Sequence, residues 1–192
     1  MKIVLDVENT VVKRDGKLHL DPYEPQNSLV MVGIQIEGGE PIHYTFDHTE
    51  YDCKYEDRKR DCEEIQSILD NTTLLIAHNA SHDLLWMWQT GFVYEGRVWD
   101  TMLGEYILQR GIKQPLSLEA VAERRDLPVK KQDTLKKYLR DGYTVDKIPY
   151  EELKEYLYDD LRTTMALYYE QSLDMRKDTN RGLHIVTDLT MD

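Results

Sequence analysis

The apolar and polar positions divide the chain into two halves. Residues 2 to 8 (KIVLDVE) are apolar and β-branched enough to predict a strand, as does LVMVGIQI at 29 to 36. Gly38-Gly39 then supplies a turn into a third strand near 41 to 46 (PIHYTF), a hairpin signal. Residues 47 to 62 are charged and irregular, and helical periodicity begins near 61 to 70, where Ile65, Ile68 and Leu69 share a face. TLLIAH at 73 to 78 predicts a fourth strand, running into HNASHDLLWMWQTG, a helix closed by Gly91. Val98-Trp99 makes a short fifth strand, after which Asp100 is placed to cap TMLGEYIL.

From about residue 116 the pattern is helical: SLEAVAERR, TLKKYLRD and a long helix from roughly 150 to 170. Periodicity is weak from 171 to 192, with one strand expected at 183 to 187. Strands crowd the first half and helices the second, so the expected architecture is a mixed sheet covered by helices. One domain is expected over 1–176, with 177–192 a C-terminal tail or the start of a linker.

Composition narrows the class. Apolar residues are 41 % and charged residues 31 %, the mix of an ordinary globular protein. No apolar run approaches the roughly 18 residues of a membrane span, and no signal peptide opens the chain, so the expectation is a cytoplasmic protein without a membrane partner. A net charge of −12 argues against a broad positive surface for nucleic acid. It leaves open an enzyme that holds a strand end through metal ions. Cys53 and Cys62 lack the spacing of a zinc or redox motif and are expected as free thiols.

The candidate chemistry lies in carboxylates. Asp6 and Glu8 are two apart on a strand and therefore project from the same face. Tyr156 and Asp160 are four apart on the long helix, one turn, and share a face as well. Asp83 lies at the start of the helix after the fourth strand, close to Asp6 if that strand neighbours the first. Four acids converging at one place are untenable without cations, and they suit Mg²⁺ or Mn²⁺.

Each residue also has a plainer reading. Asp6 and Glu8 could be exposed edge-strand charges, and Asp83 could simply favour a helix N-terminus. Asp159 is an alternative to Asp160, but its partner one turn back is Glu155 rather than Tyr156. His78 and His82 lack a third ligand for zinc, Asn79 reads as a turn residue, and Trp86 and Trp88 read as packing before base stacking. Lys130, Lys131, Lys136, Lys137 and Arg140 form a basic cluster that is either a solvated helix face or a guide for phosphates.

Asp6-x-Glu8, Asn79-xxx-Asp83 and Tyr156-xxx-Asp160 resemble, in chain order, the three exonuclease motifs of the DEDD superfamily. Glu155 occupies the position where the His subclass carries histidine, so the resemblance is to the Tyr subclass, DEDDy. WDTMLGEYIL and IPYEELKEYLYDDLRTTMALY resemble the proofreading domain of phage-type family A DNA polymerases.

The resemblance implies an α/β, ribonuclease H-like fold with a mixed five-stranded sheet flanked by helices. It implies a 3′-5′ exonuclease that releases nucleoside monophosphates from single-stranded or frayed DNA, using two Mg²⁺ or Mn²⁺ ions. Asp6, Glu8 and Asp160 would hold one ion, Asp6 would bridge to the second, and Asp83 would support the second through water. Tyr156 would orient the attacking water or the phosphate, since an unperturbed pKa near 10 makes it a poor base. The implied partners are a single-stranded DNA 3′ end and a DNA polymerase subunit or domain, in phage or bacterial replication. No polymerase domain follows in 192 residues, so the expectation is either a domain cut from a longer polymerase or a stand-alone subunit, the latter favoured because the acidic tail ends without an obvious thumb helix. The rivals are a ribonuclease D-like enzyme acting on RNA, and a degenerate domain retained for binding.

Overall fold

In the computed structural model, residues 1–128 and 133–177 are described. The expected strand at 183 to 187, nearly all of the tail, and Lys130 and Lys131 lie outside the described residues. The elements are β1 (Lys2–Asn9), β2 (Val12–Arg14), β3 (Lys17–His19), β4 (Leu29–Ile36), β5 (Pro41–Thr45), α1 (Tyr55–Asp70), β6 (Leu74–Ala77) and α2 (Ala80–Thr90). There follow β7 (Arg97–Asp100), α3 (Thr101–Leu108), α4 (Leu118–Arg124), α5 (Asp133–Arg140) and α6 (Tyr150–Met175).

Five strands form one mixed sheet in the order β5-β4-β1-β6-β7. β4 pairs antiparallel with β1 and β5, while β6 runs parallel to β1 and β7. β1 is therefore central, and its alternation sends side chains into two separate cores. Ile3, Leu5 and Val7 join Ile65, Leu69, Trp86 and Met87 under α1 and α2. Val4 joins Leu153, Leu157, Leu161 and Met165 of α6 on the other face. Asp6 and Glu8, in phase with Val4, thus belong to the α6 side.

α6 approaches the sheet closely because Gly33, directly opposite Asp6 in the β1–β4 register, has no side chain. A Cβ there would lie 2.8 Å from carbons of both Leu157 and Leu161. At the far end of α6, a partly buried polar network adds to the apolar packing. Glu105 pairs with Arg124 at 3.0 Å and Arg125 at 2.8 Å, and Arg125 pairs with Asp174 at 2.7 Å.

Three elements differ from the sequence expectation. α1 begins at Tyr55 rather than near 61, within the stretch read as irregular. Its first turns carry no apolar stripe and are supported instead by Glu56 and Asp57 at the N-terminus and by the Arg60–Asp57 pair at 3.0 Å. α6 continues to Met175, with Gln171 and Met175 buried. The β2–β3 hairpin was not expected, and it turns at Asp15 (φ 50°) and Gly16 (φ 77°), the left-handed pair that a two-residue hairpin favours. Among the described residues no helix is long and apolar enough to cross a membrane.

Candidate active site

The parallel pairing of β1 and β6 ends at Val4–Ile76, so β1 runs on past its neighbour. α2 fills the gap. Its first turn brings in Asp83, only 2 % exposed, whose carboxylate accepts the Val7 backbone N–H at 3.1 Å. A helix start is thereby fixed against the strand between Asp6 and Glu8.

The acids act on one another. The Asp6 carboxyl is pushed well up, first by burial and then by the charge of Asp160. Glu8 is raised by burial, then by Asp6, Asp160 and Asp83. Asp83 is raised by burial and then by Asp6, with Asp100 adding to it. The Tyr156 hydroxyl is raised by burial, then by Asp160, Glu8 and Asp6, and by a hydrogen bond to Asp160. Asp6, Glu8, Asp160 and Tyr156 therefore stand within electrostatic reach of one another at the C-terminal end of β1, and Asp83 within reach of Asp6 and Glu8. Among the described residues, no three acidic, histidine or cysteine side chains are already drawn into a metal-ligand cage.

Neighbouring groups have structural partners. Asp159 points to the flank of α6, where Arg162 approaches at 3.5 Å. The His78 ring bridges the Thr101 hydroxyl and the Leu116 carbonyl, each at 2.8 Å, and His82 meets the Asn9 side-chain oxygen at 2.9 Å. Burial lowers the pKa of both rings. Asn79 adopts the left-handed conformation (φ 69°) at the turn into α2, a geometry that asparagine tolerates. Trp86 is buried in the core and Trp88 is half exposed. Of the basic cluster, Lys136 is paired with Glu119.

Asp100 does more than the sequence suggested. Its Oδ1 accepts Met102 and Leu103 N–H at 2.8 and 3.3 Å, capping α3. It also accepts Asn79 N–H through Oδ1 and Ala80 N–H through Oδ2, each at 3.0 Å. One buried carboxylate thus seats the starts of both α2 and α3. The second role depends on the β6–β7 pairing and leaves no mark in the sequence around residue 100.

A mixed sheet in this order, covered on one face by α6 and on the other by α1 and α2, defines a ribonuclease H-like exonuclease fold. The chain belongs to the 3′-5′ exonuclease family, whose DNA polymerase A type model matches residues 20–174. That match begins after Asp6 and Glu8 and does not cover them.

Solved structures agree on the fold. Brucella melitensis NrnC with bound Mg²⁺ is 15 % identical, with a TM-score of 0.62 over 98 % of this chain and 80 % of that one. The same protein bound to pGG is 16 % identical, with a TM-score of 0.64 and the same coverage. A nuclease in its apo form is 15 % identical, with a TM-score of 0.66 over 98 % of this chain and 78 % of that one. No curated protein matches the sequence.

Proposed function

We propose that the chain removes nucleotides one at a time from the 3′ end of single-stranded or frayed DNA, releasing nucleoside monophosphates in support of a DNA polymerase. The supporting observation is the mutual electrostatic pressure among Asp6, Glu8, Asp83 and Asp160 beside the Tyr156 hydroxyl. Family membership supplies the reaction class.

The donor set fits a hard divalent cation. It consists of carboxylate oxygens, and burial together with like charge raises Asp6, Glu8 and Asp83, which marks negative charge in want of a counter-ion. Asp6, Glu8 and Asp160 would hold one Mg²⁺ or Mn²⁺, and Asp6 with Asp83 a second. When bound, such ions supply Lewis acidity toward water and phosphate.

The protein's own groups do the positioning. Tyr156 stays protonated at neutral pH and serves as a hydrogen-bond donor to the scissile phosphate or the attacking water. The Val7 N–H holds Asp83 in place, and Asp100 holds the helix that carries it.

A second reading takes RNA 3′ ends, down to a dinucleotide, as the substrate. The similarity of fold to NrnC bound to pGG supports it. One assay separates the two. The purified chain is incubated with 5′-labelled single-stranded DNA, a 3′-mismatched primer-template, the matching RNA and pGG, with EDTA, Mg²⁺ and Mn²⁺ controls. The DNA reading expects a ladder of products one nucleotide shorter, faster on the mismatch than on a paired end and abolished by EDTA. Faster loss of RNA or pGG moves the assignment to the second reading, and EDTA-resistant or internal cleavage overturns both.

A further inference from the structure

Three residues form a row across the sheet on the side that α6 covers. Gly33 of β4 stands opposite Asp6 of β1 in one pairing and opposite His43 of β5 in the other. Directly opposed residues of antiparallel strands project from the same face. Each member of the row meets α6 in its own way. Gly33 lets Leu157 and Leu161 close onto the sheet, Asp6 feels the charge of Asp160, and His43 holds the helix through hydrogen bonds.

The His43 ring uses both of its nitrogens. Nδ1 meets the Tyr158 hydroxyl at 2.7 Å, and Nε2 meets the Tyr150 hydroxyl at 2.8 Å. The Tyr150 hydroxyl also meets that of Thr45 at 3.0 Å, so β5 grips the first residue of α6 twice. The ring stands edge-on to both tyrosines, with centroids 5.5 Å from Tyr158 and 6.0 Å from Tyr150. Arg162 of α6 also reaches Glu40, just before β5, at 3.3 Å, but both side chains are exposed and such a pair contributes little.

Helix geometry says what this grip controls. Leu157 faces the sheet, so Tyr158 lies about 100° to one side of it, Tyr156 about 100° to the other, and Asp160 about 60° to the side of Tyr156. His43 therefore holds the flank opposite the one that carries the active-site pair. At a side-chain radius of about 5–6 Å, a roll of roughly 10° about the helix axis moves those groups by about 1 Å. A shift of that size can lower a rate by about 10²-fold. Apolar contact over Gly33 is non-directional and resists such a roll weakly, whereas hydrogen bonds with fixed donors and acceptors resist it directly.

We propose that His43 is a positioning residue for hydrolysis: by bridging Tyr150 and Tyr158 it fixes the rotation of α6 about its own axis and so keeps Tyr156 and Asp160 aimed at Asp6 and Glu8. The inference rests on the exonuclease reading of those four residues. His43 itself touches neither substrate nor metal in this account and acts through the helix alone.

The test combines steady-state hydrolysis of 5′-labelled single-stranded DNA or RNA, whichever the chain degrades faster, with Mn²⁺ binding followed by electron paramagnetic resonance. Both are measured on the full chain, for wild type, His43→Phe, His43→Asn and Tyr158→Phe, well below each melting midpoint. His43→Phe keeps a ring and loses both bonds. It should lower kcat by about 10- to 100-fold with KM unchanged, and weaken Mn²⁺ binding several-fold because Asp160 rides on α6. Tyr158→Phe is milder and should act in the same direction, which keeps the test decisive if His43→Phe does not fold. His43→Asn, whose amide reaches toward Tyr158 from the place of Nδ1, should recover part of the loss. In a Tyr156→Phe background, His43→Phe should cost several-fold less than in wild type, whereas effects at unlinked sites multiply. Wild-type kcat and Mn²⁺ affinity in His43→Phe and Tyr158→Phe, or a loss that multiplies fully with Tyr156→Phe, overturns the proposal. A wild type that binds Mn²⁺ but releases no nucleotide would sink the exonuclease reading alone, and the Mn²⁺ comparison would still decide the role of His43. A wild type that binds no Mn²⁺ overturns both.

Discussion

The Val7 backbone N–H and the Asp83 carboxylate meet at 3.1 Å across 76 positions of sequence. The bond satisfies a strand donor that β6 is too short to reach, and it carries an acid from another element to the strand that bears Asp6 and Glu8. It also separates two roles of Asp83, as hydrogen-bond acceptor and as charge. Asp83→Asn keeps an acceptor and removes the charge. Asp83→Leu removes both and leaves a buried N–H without a partner. The Leu variant should be less stable than the Asn variant by about 1–3 kcal/mol, read as the difference in their thermal midpoints.

Asp6→Asn should lower hydrolysis by at least about 10³-fold, the scale on which loss of one preorganised group acts. The same change removes a buried charge that Asp160 opposes, so the metal-free variant should melt higher than wild type. Retained nucleotide release alongside a higher midpoint would mean that the reaction proceeds elsewhere.

The raised carboxyls predict a pH dependence of stability in the metal-free protein. Asp6, Glu8 and Asp83 bind protons more tightly folded than unfolded. Their contribution is fully present below the usual carboxylate range near 4 and is lost as pH rises through their raised values. Glu37, held low first by the hydrogen bond from Lys2, acts in the opposite sense, its contribution fading as pH falls below about 4. The thermal midpoint should therefore fall in EDTA as pH rises above the usual carboxylate range near 4, and Mg²⁺ or Mn²⁺ should restore more at high pH than at low. A flat profile in EDTA would refute the account.

Much of this arrangement could be read from residue spacing. Val4, Asp6 and Glu8 share strand phase, and Tyr156 and Asp160 share a helix turn, so two of the three acid-bearing elements were legible from periodicity alone. What stayed hidden was structure without an apolar signature. The start of α1 is held by charge pairs, which leave no hydrophobic stripe. The β2–β3 ribbon is solvated on both faces, so its alternation carries no inside and outside, and Asp15-Gly16 was its one visible mark. The Glu105–Arg125–Asp174 network joins three helices through long-range pairs that no local window contains.

Tyr156→Phe tests positioning against acid-base chemistry. The hydroxyl is held far from ionisation, so its removal should lower kcat on the order of tenfold while leaving the shape of the pH-rate profile between pH 6 and 9 unchanged. Disappearance of an alkaline limb in the Phe variant would instead make the tyrosine a titrating participant.

Gly33→Ala probes the seating of α6. The added methyl meets Leu157 and Leu161 at 2.8 Å in a filled core, directly across β4 from Asp6. The expected cost is about 1–3 kcal/mol. Because the displaced helix bears Tyr156 and Asp160, activity measured well below the melting midpoint should fall as well. Full activity with reduced stability would show that the leucines absorb the methyl without moving the helix.

Asp100 has a consequence for the electrostatics of the whole pocket. Two helix N-termini converge on it, and such termini would otherwise lend partial positive charge to the acids nearby. Their dipoles are spent on a carboxylate of the scaffold, and that carboxylate adds its own negative charge to the field at Asp83. What direct relief the backbone gives comes from N–H groups such as that of Val7, which eases both Asp6 and Asp83 while burial and like charge still hold them up.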